Sequence, residues 1–225
     1  MHGKYLVWIG LFMIAALATL ATKYYPFFPG DVAVERWVQS LLPQNLHWAQ
    51  NVSRTAEFPW ILLILAFVFA VSWALAGWRA ALACVLSLGG MLALGYWLSP
   101  MIARPRPSPD LVHVFQPLSG YSFPSQFALR YAATFGFLAV LAAMRSFGGV
   151  RAALLIVCSV IIILGWVVRV ALAGHWPSDV IISTYLGLLW AALLIRFALK
   201  NRIAQRVAGG EKRKGRKFFS GNWHS

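Results

Sequence analysis

The sequence has 225 residues, of which 60% are hydrophobic and only 12% are charged, and its mean hydropathy is +0.69. This composition is too apolar for an ordinary water-soluble domain and indicates an integral membrane protein. The formal net charge of +14 would suit a nucleic-acid partner, but the basic residues are concentrated behind the last apolar run, so we expect no nucleic-acid binding.

Six apolar runs have the length that a helix needs to cross about 30 Å of hydrocarbon. They cover approximately residues 5–22, 58–77, 80–99, 124–144, 151–170 and 178–199. The sequence therefore predicts an all-α membrane bundle of six transmembrane helices, which forms one domain over residues 1–199. Arg130 lies inside the fourth run and Arg169 ends the fifth; since a charge in a span is costly, we expect both to face the bundle or a polar cavity.

Two features of the apolar runs argue against processing and against metal binding. The first run follows Lys4, as in a signal peptide, but the "ATKYYPFFPG" behind it is bulky and aromatic, so we expect a retained first helix. Cys84 and Cys158 lie in different runs without a ligand motif. We predict that both are small buried residues, with no disulfide and no metal site.

Residues 200–225 form a basic tail. Its cations are Lys200, Arg202, Arg206, Lys212, Arg213, Lys214, Arg216 and Lys217, and Glu211 is the only acid among them. The positive-inside rule therefore predicts a cytoplasmic tail, which can rest on anionic lipid. Counting back through six spans, the turns on the same side carry Arg79, Arg145 and Arg151. Three segments then lie on the opposite face: 23–57, 100–123 and about 171–177.

Segment 23–57 contains an amphipathic helical pattern in "DVAVERWVQSLL". Two interpretations are open. The segment lies in the membrane interface, with Trp37 and Trp48 at headgroup depth, or it covers a site as a lid.

Polar side chains cluster in the other two segments of this face and at the helix ends beside them. "ARPRPSP" carries Arg104 and Arg106, "YSFPSQF" covers residues 121–127, and "RVALAGHWPSD" carries Arg169, His175 and Asp179. Arginine forks match phosphate oxygens in a bidentate way. Three such clusters on one membrane face therefore predict a phosphate site.

Proline residues support this geometry. Each Pro of "RPRP" restrains the Arg before it to extended backbone. Pro177 suits the first turn of the sixth helix, and Pro124 and Ser125 suit the start of the fourth, whose free backbone N–H groups would face an anion.

His175 and Asp179 are four residues apart, so Asp179 could reach back to the imidazole. A carboxylate on one ring nitrogen fixes the tautomer and leaves the other nitrogen as a nucleophile or base.

These stretches resemble the motifs of the type 2 phosphatidic acid phosphatase (PAP2) superfamily, from about residue 58 to residue 199. "VRVALAGHWPSDVI" is similar to its third motif, S-R-x5-H-x3-D; "RPRP" resembles the end of the first, K-x6-R-P; and "SFPSQF" aligns with the second, P-S-G-H. The resemblance implies a six-helix fold and a phosphohistidine formed on His175, which Asp179 orients. It also implies that no metal or other cofactor takes part.

The same resemblance assigns phosphate contacts. Arg106 and Arg169 would hold the phosphate oxygens, and Ser125 with nearby backbone N–H groups would help. Gln126 could donate an amide hydrogen bond, and Arg104 would contact the headgroup or the loop.

Three positions depart from the family pattern. Ser99 stands where the first motif has Lys, Val168 where the third has Ser, and Gln126-Phe127 where the second has Gly-His. That His is the family's general acid, and Phe127 cannot donate a proton. His113, in the same outer loop, is a candidate substitute acid.

The missing acid bears on the substrate. General acid catalysis contributes about 10² to 10⁴ in rate, chiefly for poor leaving groups such as alkoxides. A phosphate monoester leaves a diphosphate as a stable anion, with a second pKa of about 6. The hypothesis is that lipid diphosphates are preferred to lipid monophosphates.

The sequence thus predicts a lipid phosphate or diphosphate phosphatase at the periplasmic face of a bacterial inner membrane. Candidate substrates are undecaprenyl diphosphate, phosphatidylglycerophosphate and phosphatidate, and membrane lipids are the expected partners. Two alternatives stay open: a catalytically impaired relative, natural or engineered, that binds lipid phosphate, and a lipid phosphotransferase. A transporter or a structural membrane protein would explain six helices but not the ordered motifs.

Overall fold

The computed structural model describes residues 2–115, 117–144 and 148–219; for His2, Lys4 and residues 200–219 only the backbone is described. Arg145 and the end of the tail, residues 220–225, lie outside the described residues, as do the side chains of the other basic tail residues. The described residues fold into helices joined by loops. The expected all-α class is confirmed.

Nine α-helices and one short π-helical turn follow one another along the described residues. They are α1 (His2–Tyr24), α2 (Asp31–Leu41), α3 (His47–Arg54), α4 (Trp60–Ala76), α5 (Trp78–Ile102), α6 (Gln126–Tyr131), the π turn (Ala132–Gly136), α7 (Phe137–Met144), α8 (Gly149–Ala171) and α9 (Pro177–Phe219). The π turn joins α6 and α7 into one continuous segment. Helix α9 begins at Pro177, as predicted.

Five helical segments in the described part of the chain are long and apolar enough to cross a membrane. They are Tyr5–Tyr24, Trp78–Ile102, Gln126–Met144, Gly149–Ala171 and Pro177–Leu199. The remaining apolar run, predicted at 58–77, is the 17-residue helix α4. At 1.5 Å per residue it is about 25 Å long, somewhat short of the hydrocarbon thickness.

The main hydrophobic core lies among α4, α5, α7, α8 and α9. Val68, Phe137, Leu141 and Ile195 are fully buried there, and Cys84 and Cys158 are buried in the same cluster. Both cysteines are buried, as predicted, and both are free. Many large apolar side chains on the outside of the same helices are exposed, as a lipid-facing surface requires.

Helix α9 approaches the α6–α7 segment closely because glycines line the contact. A Cβ at Gly187 would lie 2.5 Å from Cβ of Ala132, and a Cβ at Gly136 would lie 2.6 Å from Leu188. This close approach fixes the start of α9 beside the start of α6. The polar residues around these two helix ends are thereby brought together.

Helices α2 and α3 cover the end of α8. Leu46 and Ala49 pack on Val168, Ala171 and Leu172 of this region. The expected amphipathic helix is present as α2, whose Asp31 and Glu35 are buried while Trp37 is exposed. The segment packs tightly on the bundle, and its last residues form one wall of the cavity described next.

Candidate active site

A cavity of about 250 Å³ lies between the end of α3, the start of α6 and the end of α8. Its walls carry His175, Arg106, Arg169, Gln126 and Phe127. These side chains come from three separate stretches of sequence. The structure thus brings together residues from all three predicted polar clusters.

His175 lies between α8 and α9 and is only 3% exposed. Its Nδ1 is hydrogen-bonded to the backbone carbonyl of Ser122 at 2.5 Å. Because a carbonyl oxygen can only accept, Nδ1 carries the proton, and the lone pair stays on Nε2. Burial and the charges of Arg169 and Arg106 hold the pKa of His175 well below 6.5, while the bond to Ser122 acts in the opposite direction. At neutral pH the imidazole is therefore uncharged and can act as a nucleophile through Nε2.

Asp179 lies in the first turn of α9, but within the described residues it makes no hydrogen bond to His175. Its carboxylate accepts hydrogen bonds from Arg104 Nη1, from the hydroxyl of Ser122 and, at 3.1 Å, from the backbone N–H of Trp176. The direct bond expected from the spacing is not formed, and both carboxylate oxygens bind these other donors instead. Asp179 is connected to the imidazole through Ser122, whose hydroxyl donates to Asp179 and whose carbonyl accepts from the ring.

Arg104 is fully buried behind this arrangement and does not line the cavity. It forms ion pairs with Asp179 and, at 3.3 Å, with Asp31 of α2. Two further donors bind the hydroxyl of Ser178 and the carbonyl of Tyr25, at 2.9 and 3.1 Å. Of the two contacts expected for Arg104, headgroup or loop, the structure shows one with the loop before α2, and its other hydrogen bonds are also inside the protein, where it holds α2, α9 and Asp179 together.

Arg106 and Arg169 do line the cavity beside His175. Arg106 donates to the carbonyls of Gly174 and Ser119, and these hydrogen bonds fix its guanidinium at the mouth of the cavity. Burial lowers the pKa of Arg106, and the charge of Asp179 opposes this shift, so the guanidinium stays protonated. Arg169 is 5% exposed; its Nη1 donates to Ser53 of α3 at 2.6 Å, and its Nε has no partner in the described part of the chain. Two fixed cations thus flank the imidazole.

The start of α6 forms another wall. Ser125 caps this helix by accepting from the N–H of Ala128 at 3.4 Å, which confirms the expected helix start. Ser125 itself is buried outside the cavity, and its backbone N–H donates to Ser183 of α9 at 2.9 Å. It is therefore occupied by the protein rather than directed at an anion. Gln126 lines the cavity, and its side chain rests against Gly95.

The residues that depart from the family pattern differ in their surroundings in the structure. Phe127 is buried, stacks on Tyr131 with ring centroids 4.1 Å apart, and lies over the guanidinium of Arg169 at 5.9 Å. Ser99 lines the cavity without bringing a charge. Val168 is buried against α3. Apolar packing has replaced polar groups at Phe127 and Val168.

Some residues of the site were not found from the sequence, and one candidate lies elsewhere. Ser53, Glu57 and Arg130 line the cavity, and Ser122 holds the imidazole. Arg130 had a sequence signal as a charge within an apolar run, and Ser122 lies in the stretch "YSFPSQF", whereas Ser53 and Glu57 had no such signal. His113 lies outside this cavity; its ring packs on Phe115 with centroids 4.2 Å apart. No group of three or more His, Cys, Asp or Glu that could hold a metal occurs within the described ranges.

Fold and site together define a multi-pass membrane protein with a buried histidine in an arginine-lined cavity. The model of the PAP2 superfamily matches residues 78–203, more than half of the chain, and the protein belongs to this superfamily. The fold is similar to that of a solved structure described as a transmembrane PAP2 type phosphatidylglycerolphosphate phosphatase from Bacillus subtilis. That match has a TM-score of 0.67 and 20% identity over 86% of this chain and 96% of the other. No curated protein matches the sequence.

Proposed function

We propose that this protein is a membrane lipid phosphatase that works through a phosphohistidine on His175. The observation that carries the proposal is the hydrogen bond from Nδ1 of His175 to the carbonyl of Ser122, which leaves the lone pair of Nε2 free to act as the nucleophile. Arg106 and Arg169 lie in the same cavity, where they stabilise the charge that develops on the phosphoryl oxygens.

In the first step, Nε2 attacks phosphorus, the bond from phosphorus to the leaving oxygen breaks, and the leaving group departs. In the second step, water attacks the phosphohistidine and releases phosphate, which restores the imidazole. Because Phe127 has no proton to donate, the first step is fastest when the leaving oxygen is already a stable anion, as in a lipid diphosphate. Phosphatidylglycerophosphate and phosphatidate are the slower candidates.

We further propose that the chain crosses the membrane six times, as one domain over residues 1–199. Arg36 of α2 donates to the carbonyl of Leu111, and Gln39 donates to the carbonyl of His113, at 2.7 and 2.8 Å. The segments before α4 and after α5 therefore lie on the same face. If α5 spans the bilayer, α4 must span it too, despite its 17 residues.

The proposed orientation places the cavity on the periplasmic face of a bacterial inner membrane, with residues 200–225 as a cytoplasmic tail. The support is the basic residues at the opposite end of the bundle, of which Arg79 and Arg151 lie in the described part.

The decisive experiment measures phosphate release by the purified protein in detergent from undecaprenyl diphosphate and from phosphatidate. We expect release from both, with the diphosphate faster, no release by His175→Ala, and a phosphorylated His175 in rapidly quenched samples analysed by mass spectrometry. Comparable rates on the two lipids would refute the diphosphate preference. Release that survives in His175→Ala would refute the mechanism.

A second candidate function is lipid-phosphate binding without turnover. Phe127 supports it, since a protein of this type that lacks its general acid can still bind lipid phosphate. It predicts no release by the wild-type protein from either lipid and release by Phe127→His.

A further inference from the structure

A third arginine lines the cavity and has no part in the mechanism above. Arg130 lies on α6, inside the apolar segment Gln126–Met144, and its side chain is half-buried. A charge within a membrane span is costly, and a chain keeps one where it faces a polar cavity or binds a ligand. Arg130 and Gln126 are four residues apart on the helix, so both side chains lie on the face that forms the cavity wall.

Most donors of Arg130 have no partner among the residues that the structure describes. Its Nη1 donates to the carbonyl of Ala56 at 2.8 Å, and its Nε is buried without a partner in the described part of the chain. Among the described residues, no carboxylate lies within 4.0 Å of its guanidinium. Since a guanidinium carries five N–H donors, this cation is held in place and still has donors for an anion.

Arg130 is set apart from the two arginines that flank the nucleophile. Arg106 donates to the carbonyl of Gly174, the residue before His175, whereas Arg130 donates to the carbonyl of Ala56, beyond the end of α3. Arg130 lies five residues beyond Ser125, the cap of α6, which is about 7.5 Å along the helix axis. The cavity therefore has two cationic positions, one beside the imidazole and one farther along α6.

We propose that Arg130 binds a second phosphate, the one that leaves, and thereby favours lipid diphosphates over lipid monophosphates at this site. The inference rests on the proposed function and deepens it. Arg106 and Arg169 hold the phosphoryl group that His175 attacks, the bridging P–O bond breaks, and its electron pair stays on the departing lipid monophosphate. That product needs no proton, and the cation of Arg130 stabilises the charge which develops on it.

The test compares the binding of inorganic diphosphate and inorganic phosphate to the full-length protein in detergent by calorimetry. Arg130→Gln should weaken diphosphate binding about tenfold or more, the size of a lost charge-assisted contact, and change phosphate binding less than about threefold. Arg196→Gln is the matched control, because Arg196 is also in a spanning helix but lies against Trp8, away from the cavity. It should leave both affinities unchanged.

If Arg130→Gln weakened the binding of diphosphate and of phosphate equally, Arg130 would bind the same phosphate as Arg106 and Arg169. That result would overturn the proposal. No loss for either would also overturn it. If Arg130→Gln lowers the melting temperature below the range of the assay, Arg130→Lys replaces it. Lysine keeps the charge without the planar fork, and it should give a smaller loss that is still selective for diphosphate.

Turnover separates this inference from the proposed function. If wild-type protein hydrolyses neither undecaprenyl diphosphate nor phosphatidate, the proposed function fails, but the anion-binding comparison still decides on Arg130. If it hydrolyses both, Arg130→Gln should lower kcat/KM for the diphosphate about tenfold and leave that for phosphatidate within about threefold. Equal reductions for the two lipids would contradict the second-phosphate site.

Discussion

The position of the Phe127 ring depends on a glycine on a neighbouring helix. A Cβ at Gly165 of α8 would lie 2.6 Å from Cε1 of Phe127, so the aromatic ring fits only because position 165 has no side chain. The ring then lies against the guanidinium of Arg169, and it occupies the position where the family motif has the general acid. Apolar packing and the loss of a proton donor are therefore two results of the same substitution.

Phe127→His should restore a proton donor at this position. We expect kcat/KM for phosphatidate to rise about 10²-fold or more, because an alkoxide leaving group needs the proton, while the rate on undecaprenyl diphosphate changes little. Phosphate release from the two lipids measures the ratio. Phe127→Leu is the control, since it opens similar space without a proton, and an equal gain in this variant would contradict the role of the acid.

The acid limb of the pH profile should reveal the environment of His175. Because burial and the charges of Arg169 and Arg106 hold its pKa well below 6.5, the ring stays neutral as the pH falls from 7 to 6. We expect kcat/KM for undecaprenyl diphosphate to decline only at lower pH. In Arg106→Gln one of the two cations is gone, so the pKa of His175 rises and the decline should begin at higher pH. An acid limb near 6.5 in both proteins would contradict this assignment.

Helix α2 carries a second buried acid, four residues after Asp31. Asp31 is well paired: it accepts from the backbone N–H and the hydroxyl of Ser178, at 2.9 and 2.7 Å, and it pairs with Arg104. Glu35 is fully buried, and neither of its carboxyl oxygens has a partner in the described part of the chain. Burial first, and then the charges of Asp31 and Asp179, raise the pKa of Glu35 to about 9. The folded protein therefore holds Glu35 protonated at neutral pH.

This acid should make stability depend on pH. The unfolded chain releases the proton of Glu35 above a pH of about 4.5, whereas the folded protein keeps it until about 9, so stability falls as the pH rises between these values. Glu35→Gln has a neutral side chain of the same shape, and we expect a flatter melting temperature between pH 5 and 9 and a higher one than wild type at pH 8. Asp110→Asn, on an exposed loop, should keep the wild-type slope. A wild-type slope in Glu35→Gln would contradict the buried neutral acid.

Helix positions followed from the sequence, whereas the partners of the charged groups did not. Length and hydropathy predicted the spans, and Ser125 and Pro177 marked the helix starts, because these features act through neighbouring residues. Spacing alone could not show that Asp179 binds Arg104, which is 75 residues away in sequence. Nor could it show that Ser122 would supply the carbonyl for His175, since that contact depends on where α6 and α9 meet.

At the scale of the whole molecule, the six spans and the orientation proposed above would explain three independent features. The bundle exposes large apolar side chains around its helices, the cavity lies at the end formed by α2, α3 and the outer loops, and basic residues mark the other end. Because Arg36 and Gln39 contact the loop after α5, the proposal also has α4 cross the membrane if α5 does. The topology is therefore open to a direct test.

Single cysteines should report this topology in sealed bacterial cells that are treated with a membrane-impermeant maleimide. Gln44 and Asp110 are exposed at the cavity end and Gly149 at the other, where a Cβ has free space. We expect Gln44→Cys and Asp110→Cys to be labelled in intact cells, and Gly149→Cys only after permeabilisation. The native Cys84 and Cys158 are buried and give a low background. Labelling of Asp110→Cys without Gln44→Cys would show that α4 does not cross, and a reversed pattern for all three would place the cavity on the cytoplasmic side.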